Sequence, residues 1–146
     1  MSGFQTDLLT GLATYLQSNS IGTYSTSTVY TGAQTAIILG NIPQTPDRIV
    51  TLTAYPVEDA PAMSDSVIAV QVRTRWGGQD KRPVDDLDDL IFNLLHGATR
   101  ITLSTGVVIV QCVRNSAATL GQDGNNRWSN VSNYYLTVHR PSTHRT

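Results

Sequence analysis

Apolar residues recur along this chain in two rhythms. From Pro83 to Gly97 (PVDDLDDLIFNLLHG), Val84, Leu87, Leu90, Ile91, Leu94 and Leu95 are three, three, one, three and one apart, which predicts a helix with a broad apolar stripe. Pro83 suits the first helical position, where its missing N–H breaks no bond, and Asp85 and Asp86 favour the positive end of the helix dipole. His96 and Gly97 supply the C-terminal stop. Phe4, Leu8, Leu9, Leu12, Ala13 and Leu16 predict a second helix within residues 1–18, interrupted by Gly11 at a cost of about 1 kcal/mol.

The second rhythm is alternation. Val50, Leu52 and Ala54 alternate with Thr51, Thr53 and Tyr55, and Ile68, Val70 and Val72 alternate with Gln71, Arg73 and Arg75. Each set predicts a half-buried strand, with Arg73 and Arg75 facing out. Pro56 to Asp65 between them reads as a loop. Thr35 to Leu39 is a short apolar run closed by Gly40, Pro43 and Pro46; Ile101 and Leu103 make a short strand; Val107 to Arg114 is the most β-branched run. Asn115 to Asn130 reads as a polar loop, and Val131 to Arg140 as the last strand, with Tyr134, Leu136 and Val138 inward. Residues 19–34 are uncharged and rich in Ser and Thr; Tyr24, Thr26, Thr28 and Tyr30 alternate, so they read either as a strand or as a flexible arm. Residues 141–146 read as a flexible tail. The expectation is one α+β domain over residues 1–146, a mainly antiparallel sheet of four to five strands with two helices packed on one face.

Composition narrows the function. A chain of 146 residues can bury roughly 70% of its unfolded surface as a single domain. A net charge of −1 gives no footprint for sequence-specific nucleic-acid binding or for an anionic membrane, and no run approaches the roughly 20 apolar residues of a bilayer span. Met1 to Gln17 lacks the form of a signal peptide, so synthesis in a reducing cytoplasm is expected. Cys112 is alone, on a strand face shared with Val108 and Val110, and reads as a buried inert thiol.

The residues that invite a chemical reading are Asp85, Asp86, Asp88 and Asp89, which neighbour one another at helical spacing. Such carboxylates can bind a divalent cation, which would make a metal-dependent hydrolase. A hydrolytic site also needs ligands from other elements, a base and a pocket, and the three histidines do not cluster. The favoured reading is a solvated acidic face, usable against a neighbouring subunit. There is no P-loop, nucleophile elbow or dinucleotide fingerprint, so neither an enzyme nor a cofactor is expected. Asp123-Gly124-Asn125-Asn126 lacks the register of a calcium loop and reads as a turn. Both tryptophans follow arginines in expected loops, Arg75-Trp76 and Arg127-Trp128, and these residue types dominate protein-interface hot spots.

Several segments together carry a resemblance. Ile38 to Asp47 (ILGNIPQTPD) followed by the strand Ile49 to Tyr55, then Val70 to Arg75, the helix ending Leu94-Leu95-His96-Gly97, and Leu120 to Arg127 before the Tyr134 strand follow the order seen in the tail terminator, or tail-to-head joining, proteins of tailed phages. The chain resembles that family from residue 37 onward. The resemblance implies a virion protein of the tail and neck. Its α+β subunit would form a hexameric ring, capping the tail tube and joining it to the head, without catalysis or cofactor. The implied partners are further copies of the chain, the tail tube protein and the head-completion or connector protein, with genome DNA passing through the ring. Interface residues are then expected at Arg73, Arg75, Trp76, Asp85, Asp86, Asp88, Asp89, Asp123, Arg127 and Trp128. The contrasting class to a ring subunit is a monomeric adaptor module.

Overall fold

The structure, a computed structural model, describes residues 3–25 and 30–145. The chain runs α1 (Phe4–Ser18), β1 (Thr23–Tyr24), β2 (Ala36–Leu39), β3 (Ile49–Glu58), β4 (Asp65–Gly77), α2 (Arg82–Leu95), β5 (Thr99–Thr102), β6 (Val108–Gln122) and β7 (Arg127–His139). The strands form one curled, half-barrel sheet in the order β1-β2-β3-β4-β7-β6-β5.

This corrects the expected four-to-five-stranded, mainly antiparallel sheet. Among the described residues there are seven strands and the sheet is mixed, because β1, β2 and β3 pair in parallel while the others pair antiparallel. Two further strands come from segments too short or too polar to announce themselves. Tyr24 lies in β1, whereas Thr26 and Thr28 of the alternating stretch lie outside the described residues. Part of the segment expected as a loop between β3 and β4 is also strand, since β3 runs through Pro56 to Glu58 with an irregularity at Pro56/Glu58.

The largest difference is the span expected as a polar loop from Asn115 to Asn130. It is a hairpin: β6 continues to Gln122, four residues turn, and β7 begins at Arg127. Alternation fails along β6 because bulges lie at Ile109/Gln111, Arg114/Ser116 and Thr119/Gly121. The first of them changes the phase, so buried Cys112 shares its face with Ile109, and Val110 is exposed. Burial pushes the Cys112 thiol up to about 12, which leaves it inert at neutral pH.

Both helices turn their apolar sides into a single cluster. Leu8, Leu12 and Leu16 of α1, and Leu87, Ile91 and Leu95 of α2, meet Val50, Leu52, Val70, Val72, Leu136 and Val138 of the sheet. Those strand residues share one face by register. Leu90, expected on the stripe, is 56% exposed. The buried side of α2 is instead Val84, Leu87, Asp88, Ile91 and Leu95. Gly11 is explained by packing: a Cβ there would lie 2.6 Å from Thr105 Oγ1 and 2.8 Å from Leu103 Cβ.

Candidate functional site

The named side chains sort onto three regions. The first lies between α2 and the helix-covered face of β7. Asn130 and Ser132 continue inward the alternation of Tyr134, Leu136 and Val138, so they point at the helix. Asn130 Nδ2 donates to Asp85 Oδ1 at 2.8 Å, and Ser132 Oγ donates to Asp88 Oδ1 at 3.0 Å. Lys81 Nζ also donates to Asp85, at 2.9 Å. Arg114, from β6, stands 3.8 Å from Asp88 Oδ2 and stacks over the Phe92 ring at 4.2 Å. Its backbone N–H donates to His96 Nδ1 at 3.0 Å, and the His96 ring stacks on Phe92.

The four aspartates therefore divide. Asp86 and Asp89 are exposed, as a solvated face requires, but Asp88 is 8% exposed. Burial raises the Asp88 pKa against the opposing pull of Ser132 and Arg114. Lys81 and then Asn130 hold Asp85 below the ordinary carboxylate value. Tyr134 lies buried alongside, its phenol raised by desolvation and then by Asp88. Among the described residues no group of three or more His, Cys, Asp or Glu side chains is placed to hold a metal. An open groove of about 300 Å³, lined by Asp85, Asp88, Asp89, Arg114, Ala117 and Asn130, runs between α2 and the hairpin.

The second region is a clip on the opposite sheet face. Arg75 does face away from the helices, yet it is 2% exposed, because residues 43–47 fold over it. Its Nε donates to the Asp47 carbonyl at 2.9 Å, and one terminal nitrogen donates to the carbonyls of Pro43 and Pro46 at 2.7 and 2.8 Å. Burial, then Arg127 nearby, pulls its pKa down. Arg127 is 5% exposed. It pairs with Asp123 at 2.9 Å across the hairpin turn, donates to the Gln44 carbonyl, and stands 3.7 Å from Asp47. Asp123 Oδ1 accepts the N–H groups of Asn125 and Arg127, which fixes the turn. The tip of the hairpin is thus tied to the loop before β3.

Trp76 and Trp128 lie on neighbouring strands, directly paired in register, and not in loops. Arg48 stacks over Trp76 at 4.2 Å, and Trp128 Nε1 donates to the Gln79 carbonyl at 3.1 Å.

The third region is the open face of β3, β4, β7 and β6. Below the clip, the register sets Thr51, Arg73, Val131 and Ala118 in one row, Thr53, Gln71, Asn133 and Ser116 in the next, and Tyr55, Ala69, Tyr135 and Val113 beyond. Among the described residues no helix covers these rows. Arg73 is the charged residue within them, and its Nε has no hydrogen-bond partner among the described residues.

Sequence reasoning singled out neither Arg114, Asn130 and Ser132 nor Asp47 and Gln44. The signal for Asn130 and Ser132 was present: two polar residues continue an inward alternation and so call for polar partners. Asp47 and Gln44 join the clip through the fold of a proline-rich loop, which no periodicity encodes.

Residues 15–140 match the family model described as bacteriophage tail terminator protein. No curated protein matches the chain.

Proposed function

Because the chain belongs to the bacteriophage tail terminator family, we propose that it is a structural protein of the virion tail that closes into a ring, six subunits by family resemblance, capping the tail tube and joining it to the head. Its partners in this reading are further copies of itself, the tail tube protein and the head-completion or connector protein, with no catalytic role and no cofactor. It is made in the host cytoplasm and ends in the tail and neck.

The observation that carries the ring is the sheet face that neither described helix covers. Two tyrosines and an arginine whose buried Nε has no hydrogen-bond partner among the described residues, on a sheet face that neither described helix covers, support a subunit contact. A closed ring needs two different patches that fit each other. Arg73 supplies the basic one. Asp86 and Asp89, exposed on α2 and with no ion pair among the described residues, supply the acidic one. Arg75 takes no part in that pairing, since its donors are used inside its own chain. The hairpin tip from Asp123 to Asn126 is the docking element for the adjoining tail or head ring.

Light scattering on the purified protein, with negative-stain images of the protein and of tail tubes mixed with it, tests the ring. A ring alone or on tubes is expected. A chain that stayed monomeric in both settings would be a monomeric adaptor and would end the ring reading.

A further inference from the structure

The two edges of the sheet are treated differently. At one edge β1 is two residues long, and the Tyr24 N–H donates to Gln17 Oε1 at 2.7 Å, so the edge is capped by its own chain. At the other edge β5 pairs with β6 only from Val108 to Gln111, and the backbones of Cys112 and Ala98 close that ladder. Arg114 donates its N–H to His96. From Asn115 to Gln122, among the described residues, nothing pairs with the outer side of β6.

This run, Asn115-Ser-Ala-Ala-Thr-Leu-Gly-Gln122, has no charge and no proline, and Asn115 to Leu120 are all exposed. Edge strands in proteins that stay single are usually guarded by charge, proline, shortness or a bulge. Here two bulges fall inside the run, at Asn115 and Leu120, and leave the four residues Ser116 to Thr119 in regular register. Leu120 adds 51% of an apolar side chain to the surface. The edge is built to accept a strand.

The charges at its ends favour one orientation. Arg114 closes one end and Asp123 the other, with none between; each has a partner in its own chain, Asp88 and Arg127, but both side chains stay partly exposed. An antiparallel copy brings each end against its opposite, whereas a parallel copy in register sets like against like. A two-fold axis near Ala118 also lets small residues face small residues and covers Leu120. We propose that β6 pairs with β6 of a second copy across this edge, making an antiparallel, two-fold contact separate from the heterologous contacts of the ring. This goes beyond the ring reading and does not depend on it: the pairing uses backbone groups on the outer edge of β6, whereas the ring contact uses side chains of the open face, whose rows end at Ala118 and Ser116.

The test uses the full chain and three variants. Ala118→Lys sets like charges across the axis without touching the β6–β7 ladder. It should raise the dissociation constant of a two-chain species at least 100-fold, with an unchanged circular dichroism spectrum. Ala118→Cys should cross-link to itself under mild oxidation, giving a species of twice the 15.9 kDa chain mass, while a cysteine at exposed Ser104 should not. Arg73→Glu should abolish the ring and leave this pairing intact, which separates failure of one proposal from failure of the other. If Ala118→Lys leaves the mass of every species unchanged and Ala118→Cys does not cross-link, the pairing is wrong. If Ala118→Lys abolishes tail capping and Ala118→Cys does not cross-link to itself, the second-copy proposal is overturned, because Ala118 also ends the Arg73 row of the open face and the capping loss then belongs to that face.

Discussion

Asp88 accepts a hydrogen bond from Ser132 Oγ at 3.0 Å, on the side of α2 that faces the core. It occupies a place in the stripe Val84, Leu87, Ile91, Leu95 that another aliphatic side chain could fill. The carboxylate is nearly desolvated, and a guanidinium at 3.8 Å compensates it at a distance.

Asp88 should therefore cost the fold stability as pH rises. Its pKa in the folded chain is raised above the ordinary 3.8, chiefly by burial, so folding favours the protonated form. That stability is fully present below pH 3.8 and is lost as pH climbs through the folded value. Asp88→Asn keeps an oxygen for Ser132 and carries no charge. Urea unfolding of the two proteins at several pH values should show the decline above pH 3.8 reduced in the variant. A steeper decline in the variant would mean that Arg114 outweighs desolvation.

Arg75 should be a stability residue, whatever its place in assembly. Replacement by Met removes the donor from the buried Pro46 carbonyl and from the part-buried carbonyls of Pro43 and Asp47, a loss of about 1–3 kcal/mol. Arg75→Lys should recover only part of it, because one ammonium cannot reproduce the fork that reaches three carbonyls. Denaturant midpoints at constant slope measure both. A Met variant as stable as the native chain would mean that the loop before β3 refolds without the clip.

Much of the core was legible, and the reasons are local. Where one face is buried and the other wet, as in β3, β4 and the inner half of β7, alternation follows directly from burial. The sheet's true size was not legible, because β1 and β2 are short parallel strands held by neighbours far along the chain. The outer half of β6 has both faces exposed, so no alternation marks it, and its pairing comes from β7. Asp88 was hidden for a different reason. Apolar spacing alone places Leu90 on the stripe and Asp88 off it, although position 88 lies one turn from both Val84 and Ile91. Arg73 and the exposed pair Asp86 and Asp89 lie on surfaces that their spacing indicated, while Arg75 was turned inward by a loop whose path only the fold reveals.

Gly11 offers a case where helix propensity and packing oppose each other. Ala in place of Gly in a helix interior contributes about 1 kcal/mol by propensity. The added methyl would approach Thr105 Oγ1 and Leu103 Cβ below 3.0 Å, against a Thr105 hydroxyl already donating to the Asp7 carbonyl. Overpacking of this kind costs about 1–3 kcal/mol, so Gly11→Ala should be net destabilising by up to about 2 kcal/mol. Thermal melting decides it. A raised melting temperature would show that α1 shifts freely away from the Leu103–Val107 turn.

The hairpin tip can be separated from the fold that supports it. Arg127 and Trp128 belong to the support: Arg127 is buried against Asp123 and Gln44, and Trp128 bonds to Gln79. Deleting the whole segment would therefore disturb stability and docking together. Gly124 and Asn125 are exposed at the turn, and a Cβ at Gly124 meets nothing within 4 Å. Among the described residues the Asn125 side chain bonds to Gln44 Oε1, at 3.5 Å, while its backbone N–H is one of the two that Asp123 Oδ1 accepts. Replacing both residues by Ala should leave stability within about 0.5 kcal/mol, as surface changes away from buried contacts do. If the tip docks against the tail or head ring, the same protein should cap tail tubes and complete particles poorly, with the loss visible in complementation and in negative-stain counts of joined heads and tails. Arg127→Ala provides the contrasting case, expected to lose about 1–3 kcal/mol and to loosen the turn amides in hydrogen exchange. Normal joining by the Gly124→Ala, Asn125→Ala protein would move the docking surface off the tip.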